Sequence, residues 1–366
     1  MRVALAQINP TVGDLEGNAR KIKQWISKAE KTNSDIVVFP ELAITGYPPE
    51  DLLLKPKFVK DNLKIVHELT KIVKNIVVIV GFVDRRNKDL YNGAAVLHKR
   101  KIVGIYHKIL LPNYGVFDEK RYFKSGVVPP VFNIKLHKER LKFGVNICED
   151  IWHKEGPTMT QAKMGAKIIF TLNASPYHVG KTRDREKIIK KRIYESGAPI
   201  FYVNMVGGQD ELVFDGQSMI VDQKGKVVGR GIAFKEDLLV ADIDTRTKLV
   251  RIKLVRDKLT SLLVNQLDSP LPLLEEIYQA LLLGLRDYVR KNGFRKVVVG
   301  LSGGIDSSLV ATIAVDALGK ENVIGVTMPS PFTSKESIED AKELAKNLGI
   351  KFLVIPIDKI FRVYLE

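Results

Sequence analysis

From Val297 to Leu318 the sequence passes from a β-branched strand, Val297–Leu301, through Ser302-Gly-Gly-Ile-Asp-Ser-Ser308 into an apolar helix, Leu309–Leu318. A strand that hands over to a helix through two adjacent glycines constrains everything around it. Glycines 303 and 304 allow positive φ and a close backbone approach to a ligand. Successive amide N–H groups then form an anion-binding nest, and the helix N-terminus adds partial positive charge. Next come the strand Val323–Met328, a helix ending near Asn347 with a capping box from Thr333 to Glu336, and the strand Phe352–Ile357. The order is βαβαβ, the start of a doubly wound, Rossmann-like parallel sheet. An amphipathic helix, Leu273–Lys291, precedes it. Three predicted strands before Glu366 read as the N-terminal part of an incomplete domain, residues 264–366.

The chemistry of the loop points to an anion. Ser302, Ser307 and Ser308 offer hydroxyl donors, and no lysine follows the glycines as it would in a GxxxxGK[ST] loop. Asp306 beside a phosphate makes sense with a Mg²⁺ between them. An ordinary glycine-rich turn is the competing reading. The heptad resembles the pyrophosphate loop of the ATP-pyrophosphatase enzymes. That resemblance implies ATP bound by Gly300, Ser302, Gly303, Gly304, Asp306, Ser307 and Ser308, with Asp306 on Mg²⁺. ATP and Mg²⁺ would enter as a substrate complex, with no prosthetic group.

Residues 1–245 alternate short apolar runs with helical stretches such as Leu15–Lys31 and Arg183–Ser196. Strand-like runs are Val3–Ile8, Asp35–Pro40, Ile76–Phe82, Ala94–Leu97, Lys142–Ile147, Lys167–Leu172, Pro199–Asn204, Ser218–Val221 and Leu238–Ile243. Met219–Gly231 reads as a hairpin turning at Lys224-Gly225. The expectation is a mixed α/β domain with a sheet-on-sheet core covered by helices. Residues 246–263 read as a polar, basic connector.

Cys148 is the only cysteine, so an internal disulfide and a CxxC zinc site are both excluded. It ends an apolar strand in Phe143-Gly-Val-Asn-Ile-Cys-Glu-Asp-Ile-Trp152. A buried small hydrophobe is one reading. A nucleophile is the other, and it requires a base and a donor for the oxyanion. Glu41, at the end of Val37-Val-Phe-Pro-Glu41, and Lys108, in His107-Lys-Ile-Leu-Leu-Pro112, are the candidates. With Cys148 and the string Asn113-Tyr-Gly-Val-Phe-Asp-Glu-Lys-Arg-Tyr-Phe123, they resemble the nitrilase superfamily. The resemblance implies an α-β-β-α sandwich that hydrolyses carbon–nitrogen bonds. Cys148 would be the nucleophile, Glu41 the base, Lys108 the oxyanion donor, and Glu119 a second glutamate near the triad.

A nitrilase-like domain fused to an ATP-pyrophosphatase loop resembles the glutamine-dependent NAD⁺ synthetase family. That implies a ligase in which ammonia from glutamine displaces AMP from adenylated deamido-NAD⁺, giving NAD⁺, AMP, pyrophosphate and glutamate. Tyr114, Glu149, Trp152, Ser175 and Lys181 fit the family's glutamine pocket. Lys181 stands where some members have arginine, and Trp152 where some have phenylalanine. Glutamine, deamido-NAD⁺ and ATP are the implied partners, in a homo-oligomer. Because the second domain reads as incomplete, the expectation is a chain that retains only the glutaminase half. The alternative is a stand-alone nitrilase-type amidase with a vestigial ATP-loop tail.

Composition narrows the remaining classes. The 366 residues suit two or three domains, and 45% hydrophobic with 27% charged residues is globular. No run approaches the ~18 apolar residues of a membrane span, and the N-terminus lacks a signal-peptide cleavage region. A cytoplasmic enzyme is expected. The net charge of +16 reads either as a lysine-rich solvated surface or as a match to an anionic partner. Its densest runs, Lys181–Arg192 and Lys248–Lys258, lack interleaved aromatics, and RNP, KH and zinc patterns are missing, which argues against nucleic acid.

Overall fold

The computed structural model describes residues 1–137, 139–246, 250–255 and 271–366. They form two units, Met1–Gly207 with Val213–Leu273, and Gly208–Leu212 with Leu274–Glu366.

The first unit is built on two sheets. Its strands are β1 (Arg2–Gln7), β2 (Ile36–Val38), β3 (Val77–Arg86), β4 (Asp89–His98), β5 (Lys101–His107), β6 (Val131–Leu136), β7 (Glu139–Ile147), β8 (Ile168–Asn173) and β9 (Ile200–Asn204). There follow β10 (Val206–Gln209) and β11 (Leu212–Asp215), which share Gly208, Gln209 and Leu212 with the second unit, and then β12 (Met219–Val221), β13 (Val227–Arg230), β14 (Asp237–Asp244) and β15 (Arg251–Val255). Among the described residues one sheet runs β15-β14-β1-β2-β3-β4-β5 and the other β13-β12-β9-β8-β7-β6.

Strand alternation sorts side chains between layers. From β1, Val3 and Leu5 point between the sheets, where they meet Phe143, Val145 and Ile147 of β7 and Phe170 of β8. Ala4 and Ala6 point outward beneath Ile22, Trp25, Ile65 and Leu69 of two helices, α1 (Leu15–Lys31) and α2 (Pro56–Ile72). Small alanines on that face let the helices lie close. After α3 (Glu119–Tyr122) and α4 (Pro157–Lys163) comes α5 (Lys181–Ser196). Ile189 and Ile193 of α5 cover the outer face of the second sheet, on Ile169, Ile200, Tyr202 and Met219. The layers are α-β-β-α, as the resemblance implied. Each fully buried large side chain in them contributes about 1.5–3 kcal/mol. A one-residue slip of register would exchange the two faces of a strand.

Part of the connector read over 246–263 is structured instead. Arg251–Val255 is the edge strand β15, antiparallel to β14 with Ile252 opposite Ile243. Ile252 and Leu254 face the inter-sheet core, and their charged neighbours alternate outward. That alternation is the strand signal, and the surrounding lysines and arginines hid it. Residues 247–249 and 256–263 of the connector, and with them part of the basic run Lys248–Lys258, lie outside the described residues.

The second unit contains α6 (Leu273–Lys291), β16 (Val297–Gly300), α7 (Ile305–Leu318), β17 (Val323–Thr327), α8 (Lys335–Leu348), β18 (Lys351–Val354) and α9 (Asp358–Leu365). Both strand pairs, β16 with β17 and β17 with β18, are parallel, which makes the sheet the Rossmann-like βαβαβ that was expected. Ala311, Ala314, Ala341 and Ala345 pack α7 and α8 with Leu301, Val323 and Ile350. The helix after β17 is capped by Ser334 rather than Thr333. The Ser334 side chain accepts from Ser337 N at 3.1 Å, while Thr333 Oγ1 accepts from Ser330 N in the preceding turn. Among the described residues no helix is long and apolar enough to cross a membrane.

Candidate active site and nucleotide loop

Three strand ends of the first unit converge on one buried cluster. Glu41 follows β2 on a loop that lies across β3, at a point where a side chain on Gly81 would strike the backbone of Pro40 to Leu42. Lys108 follows β5, its amide donating to Asn92 O at 2.9 Å and its carbonyl accepting from Gly126 N at 2.8 Å. Cys148 follows β7 and opens a 3₁₀ turn, Cys148–Ile151, with φ of +40°. Positive φ is uncommon for a residue with a Cβ, and such backbone tends to gather at functional sites.

The Lys108 ammonium donates to Glu41 Oε1 and to Glu119 Oε1, each at 2.7 Å. Asn92 Nδ2 also donates to Glu41 Oε1 at 2.7 Å, and Ala174 N to Glu41 Oε2 at 2.9 Å. Tyr47 OH donates to Glu119 Oε1 at 2.9 Å. Glu41 is fully buried, Lys108 1% exposed and Cys148 5% exposed. Burial pushes the Cys148 thiol well above its ordinary value, Glu41 adds to the rise, and Lys108 opposes it. Burial alone would lower the lysine, but the carboxylates of Glu119 and Glu41 outweigh it and hold the ammonium charged. With one cation between two carboxylates, burial and the charge of Glu41 push Glu119 up to about 7 against the pull of Lys108. Such an arrangement can hold a neutral thiol beside a carboxyl base and a fixed cation, the requirements of thiol addition to a carboxamide.

The residues expected to hold glutamine lie around this cluster. Tyr114 OH donates to Glu149 Oε2 at 2.9 Å, and His153 Nε2 lies 2.8 Å from Glu149 Oε1. The Lys181 ammonium sits 4.3 Å from the centre of the Trp152 ring, a cation–π contact. Burial, then Arg185, lowers the Lys181 pKa, and the charges of Cys148 and Glu149 act on it in the opposite sense. Ser175 is buried. Its Oγ accepts from Arg185 Nε at 3.1 Å, and Arg185 Nη1 reaches both oxygens of Asp215 at 2.7 and 2.8 Å. The sequence reading missed Asn92, Tyr47, Arg185 and Asp215. Asn92 sits mid-strand and Arg185 inside a basic helix, so neither has a local signal.

In the second unit Gly300 ends β16, and Ser302 to Gly304 lead into α7, whose first turn carries Asp306, Ser307 and Ser308. Gly303 has φ of +82°, and a Cβ there would lie 2.5 Å from Ser337 O. Ser302 Oγ accepts from Gly304 N at 3.3 Å, while Ser307 Oγ and Ser308 Oγ donate to Gly304 O at 3.0 and 2.9 Å. These bonds shape a turn whose helix-start N–H groups remain available to an anion. Asp306 is exposed there. A Mg²⁺ carried in on a nucleotide, with phosphate oxygens and water completing its shell, fits this lone carboxylate.

Residues 2–251 match the carbon-nitrogen hydrolase family, and residues 277–366 match the NAD synthase family. The whole chain aligns at 48% identity with a glutamine-dependent NAD(+) synthetase of Thermotoga maritima, over 67% of that protein. A solved structure of glutamine-dependent NAD+ synthetase from Acinetobacter baumannii in complex with ADP covers 100% of this chain and 66% of its own, with TM-score 0.89 and 41% identity. A variant of a nitrilase-superfamily amidase from Nesterenkonia AN1 covers 66% of this chain and 89% of its own at TM-score 0.58 and 22% identity, a likeness of fold. The chain spans about two thirds of the length of the synthetases it matches. The expectation that only a glutaminase half is retained is not borne out, because the chain carries sequence of both families.

Proposed function

The chain belongs to the carbon-nitrogen hydrolase family and to the glutamine-dependent NAD⁺ synthetases, and from that premise we propose that it hydrolyses glutamine at Cys148 and binds Mg·ATP at Ser302–Ser308 for the amidation of deamido-NAD⁺. The observation that carries the reading is the Lys108 ammonium held at 2.7 Å by both Glu41 and Glu119 beside the buried Cys148.

In the first half-reaction Glu41 takes the Cys148 proton as sulfur adds to the glutamine carboxamide carbon. Lys108 stabilises the oxyanion. Collapse breaks the carbon–nitrogen bond, and Glu41 returns the proton so that nitrogen leaves as ammonia. Water, deprotonated by Glu41, then cleaves the thioester to glutamate and restores the thiol. Glu149 with Tyr114 suits the substrate's ammonium, and Lys181 with Ser175 its carboxylate. In the second half-reaction the deamido-NAD⁺ carboxylate attacks the α-phosphorus of ATP and pyrophosphate departs into the loop of α7. Ammonia then displaces AMP and leaves NAD⁺. Nucleotide substrates of this kind suit a cytoplasmic enzyme, and a homo-oligomer is the assembly we infer from the family.

The test is glutamine hydrolysis by the wild-type chain and by Cys148→Ala. Loss of glutamate formation in the variant, with unchanged Mg·ATP binding, is the expected result. Hydrolysis that survives in Cys148→Ala removes the thiol from the reaction.

A further inference from the structure

Asp150 lies two residues beyond the nucleophile and is fully buried. Four donors converge on its carboxylate. Oδ1 accepts from Ile109 N at 3.2 Å and Leu110 N at 2.9 Å. Oδ2 accepts from Tyr106 OH at 2.6 Å and Ile147 N at 2.9 Å. Tyr106, Ile109 and Leu110 flank Lys108 in sequence, and Ile147 immediately precedes Cys148. One carboxylate thus ties together the two segments that carry the cation and the thiol. The segment leaving Lys108 also leads to Glu119, whose amide donates to Pro112 O at 3.2 Å.

We propose that Asp150 is a positioning residue for the hydrolysis, clamping the Cys148 turn against the Lys108 segment so that thiol and ammonium keep their spacing. This rests on the glutaminase reading above. A carboxylate is required because only an acceptor without hydrogens can receive all four bonds. Asparagine would set an N–H against donors on one side or the other. Burial raises the Asp150 carboxyl and the bonds from Tyr106, Leu110 and Ile147 oppose the rise, which leaves it at about 6 and ionised at neutral pH. The clamp also accounts for the positive φ at Cys148: the Ile147 N–H bond closes the turn on itself while the other three bonds fix where the turn sits. Positioning of this kind matters because a displacement of about 1 Å at reacting groups can cost about 10²-fold in rate.

The test uses the full chain and its single thiol. Asp150→Asn is compared with wild type in the alkylation of Cys148 by iodoacetamide, followed by mass, and in glutamine kinetics. Loss of the clamp moves Lys108 away from the sulfur, so alkylation slows at least about tenfold and kcat falls about 10²-fold, with KM within about threefold of wild type. If Asp150→Asn does not fold, Tyr106→Phe removes the 2.6 Å donor alone and lowers both rates by about three- to tenfold. A folded Asp150→Asn that alkylates and turns over like wild type overturns the proposal, as does an unaffected Tyr106→Phe when Asp150→Asn is unfolded. A fall only in melting temperature would mark Asp150 as structural and equally overturn it. If wild type hydrolyses no glutamine, the glutaminase reading fails separately, and the alkylation arm still decides whether Asp150 couples Lys108 to Cys148.

Discussion

Lys108 Nζ lies 2.7 Å from Glu119 Oε1 although Glu41 already holds it at the same distance, so one buried cation serves two carboxylates. A buried ion pair is costly to form and more costly to break, since the partner left behind is an unpaired charge in a poorly solvated place. Here the excess charge is negative. It can be relieved only by a proton, and Glu119 is the carboxyl positioned to hold that proton.

Removing the cation exposes this balance. Lys108→Met should destabilise the chain by about 3–5 kcal/mol, because two carboxylates then face each other without compensation. Adding Glu119→Gln removes one of those charges and should restore part of the stability. Glutamine hydrolysis should stay absent in both variants, since the oxyanion has lost its donor. Thermal unfolding read beside glutamate release checks this, and a double variant with near-wild-type turnover would contradict the role given to Lys108.

The raised Glu119 pKa also fixes a sign for stability against pH. The folded state binds the proton up to about 7, the unfolded chain only to the usual carboxyl value near 4.5. Between these values the folded state holds more protons, so the Glu119 contribution falls as pH rises and becomes a penalty above 7. Glu119→Gln carries no such proton. Its melting temperature relative to wild type should therefore increase between pH 5 and pH 8. A difference that shrinks over that range would mean that Lys108 lowers the Glu119 carboxyl more than burial raises it.

The extent to which the chain could be read from sequence follows from how local each signal is. The inner strands carry uninterrupted apolar runs, as in Val77–Val83, and helix α1 was found with its observed bounds, Leu15–Lys31. β15 was missed because Arg251, Lys253 and the charges around them mask an alternation of only five residues. α2 went unassigned although Val59, Ile65, Val66 and Leu69 recur at helical spacing. Glu41, Lys108 and Cys148 were legible only through family strings, since their meeting depends on three separate strand ends. Asn92 and Asp150 depend on that meeting, so no local pattern could have assigned them.

The proposed glutamine pocket offers a test of binding separate from chemistry. Lys181 lies over Trp152, and Tyr114 is tied to Glu149. Lys181→Met removes a charge that would meet the substrate's carboxylate both before and during reaction. Loss of such uniform binding raises KM and leaves kcat nearly unchanged. A KM increase of about tenfold or more for glutamine is expected, the weight of one charge-assisted hydrogen bond. Steady-state kinetics with glutamine decide it, and a variant whose kcat falls while KM holds would place Lys181 in the chemistry instead.

The nucleotide loop can be tested by adding one carbon. Gly303 holds φ of +82°, and a Cβ there would sit 2.5 Å from Ser337 O and 2.9 Å from Ser337 Cα in the first turn of α8. Backbone atoms cannot yield as a flexible side-chain end can, so Gly303→Ala must shift either the loop or the start of α8. The left-handed conformation adds about 1–2 kcal/mol of strain for a residue with a Cβ. Either shift moves the N–H groups that would surround pyrophosphate. Calorimetric titration with Mg·ATP should show binding lost or weakened at least about tenfold, while far-UV dichroism stays native. Asp306→Asn separates the metal from the backbone. Its exposed carboxylate has no part in shaping the turn, so the variant should bind ATP in EDTA as wild type does. It should lose affinity only when Mg²⁺ is present. Equal weakening with and without Mg²⁺ would take Asp306 off the metal and leave the loop a purely backbone site.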